Sequence, residues 1–136
     1  MKRKLKTGLV ATLLFLLCGS FSFAQQQVQQ WNRFEVVLKH IYNGNAFADV
    51  KLAAKFISKD TTYIADGFYD GDNTFIIRFM PEKPGHWTYV TSSNIKQLNN
   101  KKGNFECVAA SGNNHGIVRV SNTYNFKYAD GKQYYP

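Results

Sequence analysis

Three histidines, two cysteines and nine carboxylates are the groups in this chain that could move a proton, hold a metal or attack a carbonyl. His40, His86 and His115 lie far apart, and none has a ligand-type residue two or four positions on, so no zinc spacing is present. Asp70 and Asp72 stand two apart, yet Asp70-Gly71-Asp72-Asn73 reads as a hairpin loop. Exposed loop carboxylates stay ionised near neutrality, whereas a catalytic pair needs a cleft that drives their pKa values apart. The same loop offers oxygen ligands to calcium but lacks the continuation of an EF-hand. There is no nucleophile elbow and no phosphate-cradling glycine loop. Cys107 lies in an alternating run between Glu106 and Val108, the setting of a buried structural thiol rather than a nucleophile. The sequence calls for no cofactor and no metal, and an enzyme in its own right lacks a supporting constellation.

Aromatic rings are the other chemistry on offer. Trp31, Tyr42, Tyr63, Tyr69, Trp87, Tyr89, Tyr124, Tyr128, Tyr134 and Tyr135 are many for a chain of 136 residues. An exposed ring face complements the C–H face of a pyranose, so exposed rings are candidates for stacking on sugar. Trp87 and Tyr89 alternate with polar residues, which points them into a core. Tyr69 beside its loop and Trp31 ahead of the first strand are the candidate sugar-stacking rings.

The elements that position these side chains have a period of two. Phe34, Val36 and Leu38 alternate with Glu35, Val37 and Lys39, and Val50, Leu52, Ala54 and Phe56 alternate with Lys51, Ala53 and Lys55. The pattern recurs at Phe75, Ile77 and Phe79 and again at Trp87, Tyr89 and Thr91. Alternation places one face on a core and the other toward water, as antiparallel strands require. Asn43-Gly44-Asn45, Pro84-Gly85, Asn113-Asn114 and Asp130-Gly131 punctuate the runs with turn chemistry. Seven or eight short strands so spaced predict an all-β, immunoglobulin-like antiparallel β-sandwich. Phe75, Ile77, Phe79, Trp87 and Tyr89 are expected to face inward from adjacent strands joined by a turn over residues 81–86.

Before the strands comes a different composition. Lys2-Arg3-Lys4-Leu5-Lys6, an apolar run from Leu9 to Leu17 and the exit Ser22-Phe23-Ala24 are the three parts of a secretory signal peptide, expected over residues 1–24. The run is short of the roughly 20 residues that span a bilayer, which argues against a retained anchor and for no membrane association after cleavage. Lipidation at Cys18 is the third reading, opposed by the bulky Phe15-Leu16-Leu17 before it. Residues 25–30, glutamine-rich with a single Val28, are expected to be a disordered leader. Four of the 17 basic residues belong to the signal head, so the net +8 falls to +4 in the exported part. The remaining charges are scattered, and nucleic acid is excluded as a partner. Export places the chain in the periplasm or outside the cell, with only Cys107 left and no internal disulfide.

Gly67-Phe68-Tyr69-Asp70-Gly71-Asp72, Arg78-Phe79-Met80-Pro81, Gly85-His86-Trp87-Thr88-Tyr89 and Thr91-Ser92-Ser93-Asn94 carry a family likeness. So do Asn114-His115-Gly116, Val118-Arg119-Val120 and Phe126-Lys127-Tyr128-Ala129-Asp130-Gly131. Over residues 31–136 the chain resembles the β-sandwich domain of unknown function at the N-terminus of many bacterial glycoside hydrolases and apiosidase-like proteins. The resemblance implies a sandwich over 31–128 and, over 129–136, the start of a hairpin leading to a C-terminal catalytic barrel in cis, which would carry the catalytic carboxylates. No catalytic residue is carried over to this sequence. Asn114, His115, Gly116, Tyr128, Tyr134 and Tyr135 are the expected barrel-docking surface. Two classes of function follow: a non-catalytic accessory domain of a polysaccharide-degrading protein, or a free-standing module that binds carbohydrate or protein.

Overall fold

The computed structural model describes residues 26–136; the signal peptide expected over 1–24, with Cys18, lies outside them. Among the described residues ten strands form two sheets. Seven of them, β1 (Gln27–Gln29), β2 (Phe34–Lys39), β3 (Leu52–Ser58), β4 (Thr61–Gly71), β5 (Thr74–Phe79), β6 (Gly85–Ser93) and β7 (Lys102–Val108), run in the order β1-β7-β6-β3-β4-β5-β2. The bend that makes two layers of this ladder lies in β4. Its first half pairs with β3 through Asp66, and its second half pairs with β5 from Gly67 on. Gly67 sits where a Cβ would come within 2.7 Å of Leu52 and 2.8 Å of Ile77, so a larger residue would push the two layers apart.

Aromatic stacking fills the space between the layers. Phe34 of β2 stacks on Phe105 of β7 with ring centroids 3.9 Å apart, and Phe56 of β3 on Phe79 of β5 at 4.1 Å. Phe75, Ile77, Phe79 and Trp87 are buried as the alternation predicts, and Tyr89 is half-buried against the same cluster. The all-β sandwich is therefore the fold.

Three expectations change. β5 and β6 are not hydrogen-bonded neighbours: the segment over 80–84 crosses between layers, and Phe79 meets Trp87 across the core with tilted rings, centroids 5.1 Å apart. The leader is ordered from Gln27, because β7 has a free edge. Gln27, Val28 and Gln29 pair in parallel with Glu106, Cys107 and Val108, and Val28 packs on the core. Backbone hydrogen bonds supply the order that glutamine side chains could not. Finally, the sandwich closes at Val108 rather than at residue 128. β8 (Val118–Asn122), β9 (Asn125–Tyr128) and β10 (Gln133–Tyr134) form a second sheet in the order β10-β9-β8. The one helix among the described residues, α1 (Ala46–Asp49), is capped by Asn45, whose side chain accepts from the amides of Phe47 and Ala48.

Candidate docking face on the C-terminal sheet

The second sheet is built from short strands with tight turns. Asn122 Oδ1 accepts from the amides of Tyr124 and Asn125 and so closes the β8–β9 turn. The expected Asp130-Gly131 turn joins β9 to β10, with Gly131 at φ 92° and its amide donating to the Tyr128 carbonyl at 3.0 Å. Pairing then sorts the side chains. Val118 lies opposite Tyr128 and Val120 opposite Phe126, while Tyr134 lies opposite Phe126 on the other side. Arg119 lies opposite Lys127, and Gln133 opposite Lys127. Paired residues share a face, so one face carries Val118, Val120, Phe126, Tyr128 and Tyr134, and the other Arg119, Lys127 and Gln133.

The polar face is open to water, with Arg119, Lys127 and Gln133 exposed, and from it Arg119 Nη2 reaches Glu82 Oε1 of the sandwich at 3.2 Å. The apolar face turns to solvent: Val120 is 71 % exposed, and Val118 and Phe126 are exposed as well. Tyr124 at the β8–β9 turn and Tyr135 after β10 extend the patch, at 89 % and 82 % exposure. Tyr134 closes one side, edge-on to Phe126 and Tyr128.

A polar seam fixes the sheet against the sandwich. Asn114 Nδ2 donates to the Gln30 carbonyl and to Asn32 Oδ1, both at 2.9 Å, and its Oδ1 accepts from the Gly116 amide. His115 Nδ1 meets Asp130 Oδ2 at 2.8 Å, and the Asp130 amide donates back to the His115 carbonyl. The Lys132 amide, and after it His115, hold the Asp130 carboxyl below its ordinary range. Trp31 is the wedge. Its amide donates to the Pro81 carbonyl at 2.9 Å, its φ is +64°, and its indole lies so close to Gly116 that a Cβ there would stand 2.6 Å from Cδ2. A bulky residue in the left-handed region is uncommon and costs of order 1 kcal/mol or more, so the surroundings must hold it. Glu82 completes the seam by accepting from the Tyr63 hydroxyl at 3.3 Å. Burial, with Glu82 second, pushes the Tyr63 phenol up.

The expected residues therefore divide. Asn114, His115, Gly116 and Trp31 come together in the seam, half-buried, rather than on an open surface. Tyr128 and Tyr134 share the apolar face but are half-buried, Tyr128 against His115 and Tyr134, and Tyr135 is exposed beyond them. Tyr69 is at the opposite end of β4, edge-on to Phe47 and packed on Phe75, and its hydroxyl accepts from the Asn73 amide. Val118, Val120 and Phe126 carry the family likeness but are not among the expected docking residues, and the structure adds them to that face. Their signal was the apolar alternation of two paired runs whose polar partners, Arg119 and Lys127, also alternate.

Asp70 and Asp72 are exposed in the β4–β5 hairpin, with Asp72 and Asn73 at φ 45° and 58°. Among the described residues no three His, Cys, Asp or Glu side chains are grouped to hold a metal ion. Cys107 is buried, and that burial, with Glu106 second, raises its thiol to about 11, so it is not a thiolate at neutral pH. No helix among the described residues is long and apolar enough to cross a membrane.

Residues 27–94 match a family described as a domain of unknown function, DUF5060. A solved structure from Bacteroides vulgatus, assigned as a glycoside hydrolase, is 48 % identical and superposes with a TM-score of 0.79. The similarity covers 82 % of this chain and 22 % of that one, so the chain spans about a fifth of its solved relative. No curated protein matches the chain.

Proposed function

The chain belongs to the DUF5060 family of domains of unknown function, and from that membership we propose that it is the non-catalytic N-terminal sandwich of an exported glycoside hydrolase-like protein. In this reading the catalytic part follows in cis and rests on the apolar face of the β8–β9–β10 sheet. The observation that carries the reading is the exposed apolar face of this sheet, on which Val118, Val120 and Phe126 lie open to water beside the half-buried Tyr128 and Tyr134. Contiguous exposed apolar patches of this kind mark interaction surfaces. Covering a few hundred Å² of such surface contributes several kcal/mol at about 25 cal/mol per Å². The seam supports the reading too, because it presents the face in a fixed orientation and lowers the entropy lost on docking. The solved relative's greater length and its assignment agree in kind. Export rests on the basic head, apolar run and small-residue exit of residues 1–24.

The test joins this chain to the part of the Bacteroides vulgatus protein that follows the matched region. Thermal unfolding of the sandwich should rise by at least about 5 °C relative to the chain alone, since 1 kcal/mol shifts a domain of this size by roughly that much. An unchanged midpoint in the joined protein would contradict the docking role.

A further inference from the structure

Between the sandwich and the C-terminal sheet lies a groove of about 550 Å³. Its sandwich wall is Gln30, Trp31 and Glu82, and its sheet wall takes Arg119 and Lys127 from the polar face and Val120 and Tyr128 from the edge of the apolar one. The volume is in the range of small-ligand sites, which pair apolar surface with a few placed polar groups. The charges in it do not balance. Glu82 already bonds Arg119 Nη2 and the Tyr63 hydroxyl, so one carboxylate answers one guanidinium. Lys127 has no carboxylate within ion-pair distance among the described residues, and its ammonium is left as a net positive charge. Trp31 brings the aromatic surface, held at a strained φ of +64° on the groove's rim. Strained residues held in place by their surroundings cluster at ligand sites.

We propose that this groove binds one acidic sugar unit, a pyranose bearing a carboxylate, as part of a polysaccharide. The apolar C–H face of the ring lies on Trp31, Lys127 takes the carboxylate, and the free N–H groups of Arg119 together with Glu82 take neighbouring hydroxyls. A phosphate fits less well, because it has no C–H face to lay on the indole. The choice of a saccharide rests on the reading of the chain as part of a glycoside hydrolase-like protein, whereas the groove and its charge do not.

The chain has two tryptophans, and Trp87 is fully buried with its indole N–H on the Lys83 carbonyl. A ligand-dependent emission change therefore reports Trp31. Titration of the purified chain with D-glucuronate should give a saturable change in the millimolar range, about tenfold tighter than D-glucose or inorganic phosphate. Lys127→Ala, at an exposed side chain outside the seam, should weaken glucuronate binding about tenfold through the lost charge-assisted bond and leave the melting midpoint unchanged. No saturable response, an equal response to glucose or phosphate, or indifference to Lys127→Ala would each overturn the assignment. A flat titration would leave the docking role standing, because that role is also read from Val118, Phe126 and Tyr134, which do not line the groove.

Discussion

Replacing Gly116 by alanine separates two costs that the structure places on one residue. Gly116 has φ +78°, where an L side chain costs about 1–2 kcal/mol. Its new Cβ would also stand 2.6 Å from Trp31 Cδ2 and 2.8 Å from Ala129 Cβ. Trp31 cannot easily retreat, since its amide is fixed on the Pro81 carbonyl. Overpacking of this kind adds about 1–3 kcal/mol. Gly112 supplies the control: its φ is +65°, and nothing lies within 4 Å of the position its Cβ would take. Gly112→Ala should therefore cost only the conformational part, about 1–2 kcal/mol, and Gly116→Ala about 1–3 kcal/mol more. The excess should fall on the seam rather than on the core. Backbone amide exchange at Tyr128, Asp130 and Gly131 should quicken, and the emission of Trp31 should shift red, while Trp87 and the β3–β6 ladder stay protected. Equal effects of the two substitutions, with Trp31 emission unchanged, would refute the role of the Trp31–Gly116 contact in holding the sheet.

Truncation of Trp87 to alanine should cost about 3–5 kcal/mol in a denaturant melt, because the ring is fully buried against Phe79 and Phe105 and leaves the Lys83 carbonyl without its donor; a loss under about 1 kcal/mol, the size of a surface effect, would contradict the core assignment. Cys107, with its thiol pushed up to about 11, is favoured neutral in the fold. Its share of stability is complete below the ordinary thiol range and is lost as pH rises from about 9 toward 11. Tyr63 and Tyr89, both raised by burial, act in the same direction at higher pH. Urea melts from pH 7 to 11 should show this decline, and a flat profile would argue against a thiol kept neutral by the fold. Thiol reagents at pH 8 should label Cys107 only as fast as the chain opens.

The layered core was legible in the sequence because each strand buries one face, and Phe34, Phe56, Phe75, Ile77, Phe79 and Trp87 announce that face at period two. The partners of the strands were not. Period two says which way Phe79 and Trp87 point, but it is silent on whether their strands pair or oppose each other across a sandwich. The β5–β6 connection is of the second kind. Order at Gln27–Gln29 was hidden for another reason: it comes from main-chain bonds to the edge of β7, to which side-chain composition is nearly blind. At the candidate site the structure distributes the expected residues between the seam and the apolar face. Asn114, His115 and Gly116 have the turn and hydrogen-bonding chemistry of an exposed loop, and only the long-range contacts to Gln30, Trp31, Asn32 and Asp130 turn them into a seam. Tyr69 was read as free beside its loop, whereas Phe47, more than twenty residues upstream, and Phe75 take its ring. Val120 and Phe126 were missing from the expected docking face because an apolar face is ordinarily assumed to point at a core, and here it is open to water.

The exposed apolar face is the central claim, and paired charges on it test that claim most directly. Val120→Asp together with Phe126→Asp should leave the melting of this chain alone within about 0.5 kcal/mol, as surface changes do, and should make it less prone to associate. The same pair in the protein joined to its relative's following part should remove the gain in unfolding temperature and the protection of residues 118–134 from hydrogen exchange. If instead the pair unfolds the chain alone, or leaves the joined protein as stable as before, the face is not where the remainder of the protein rests.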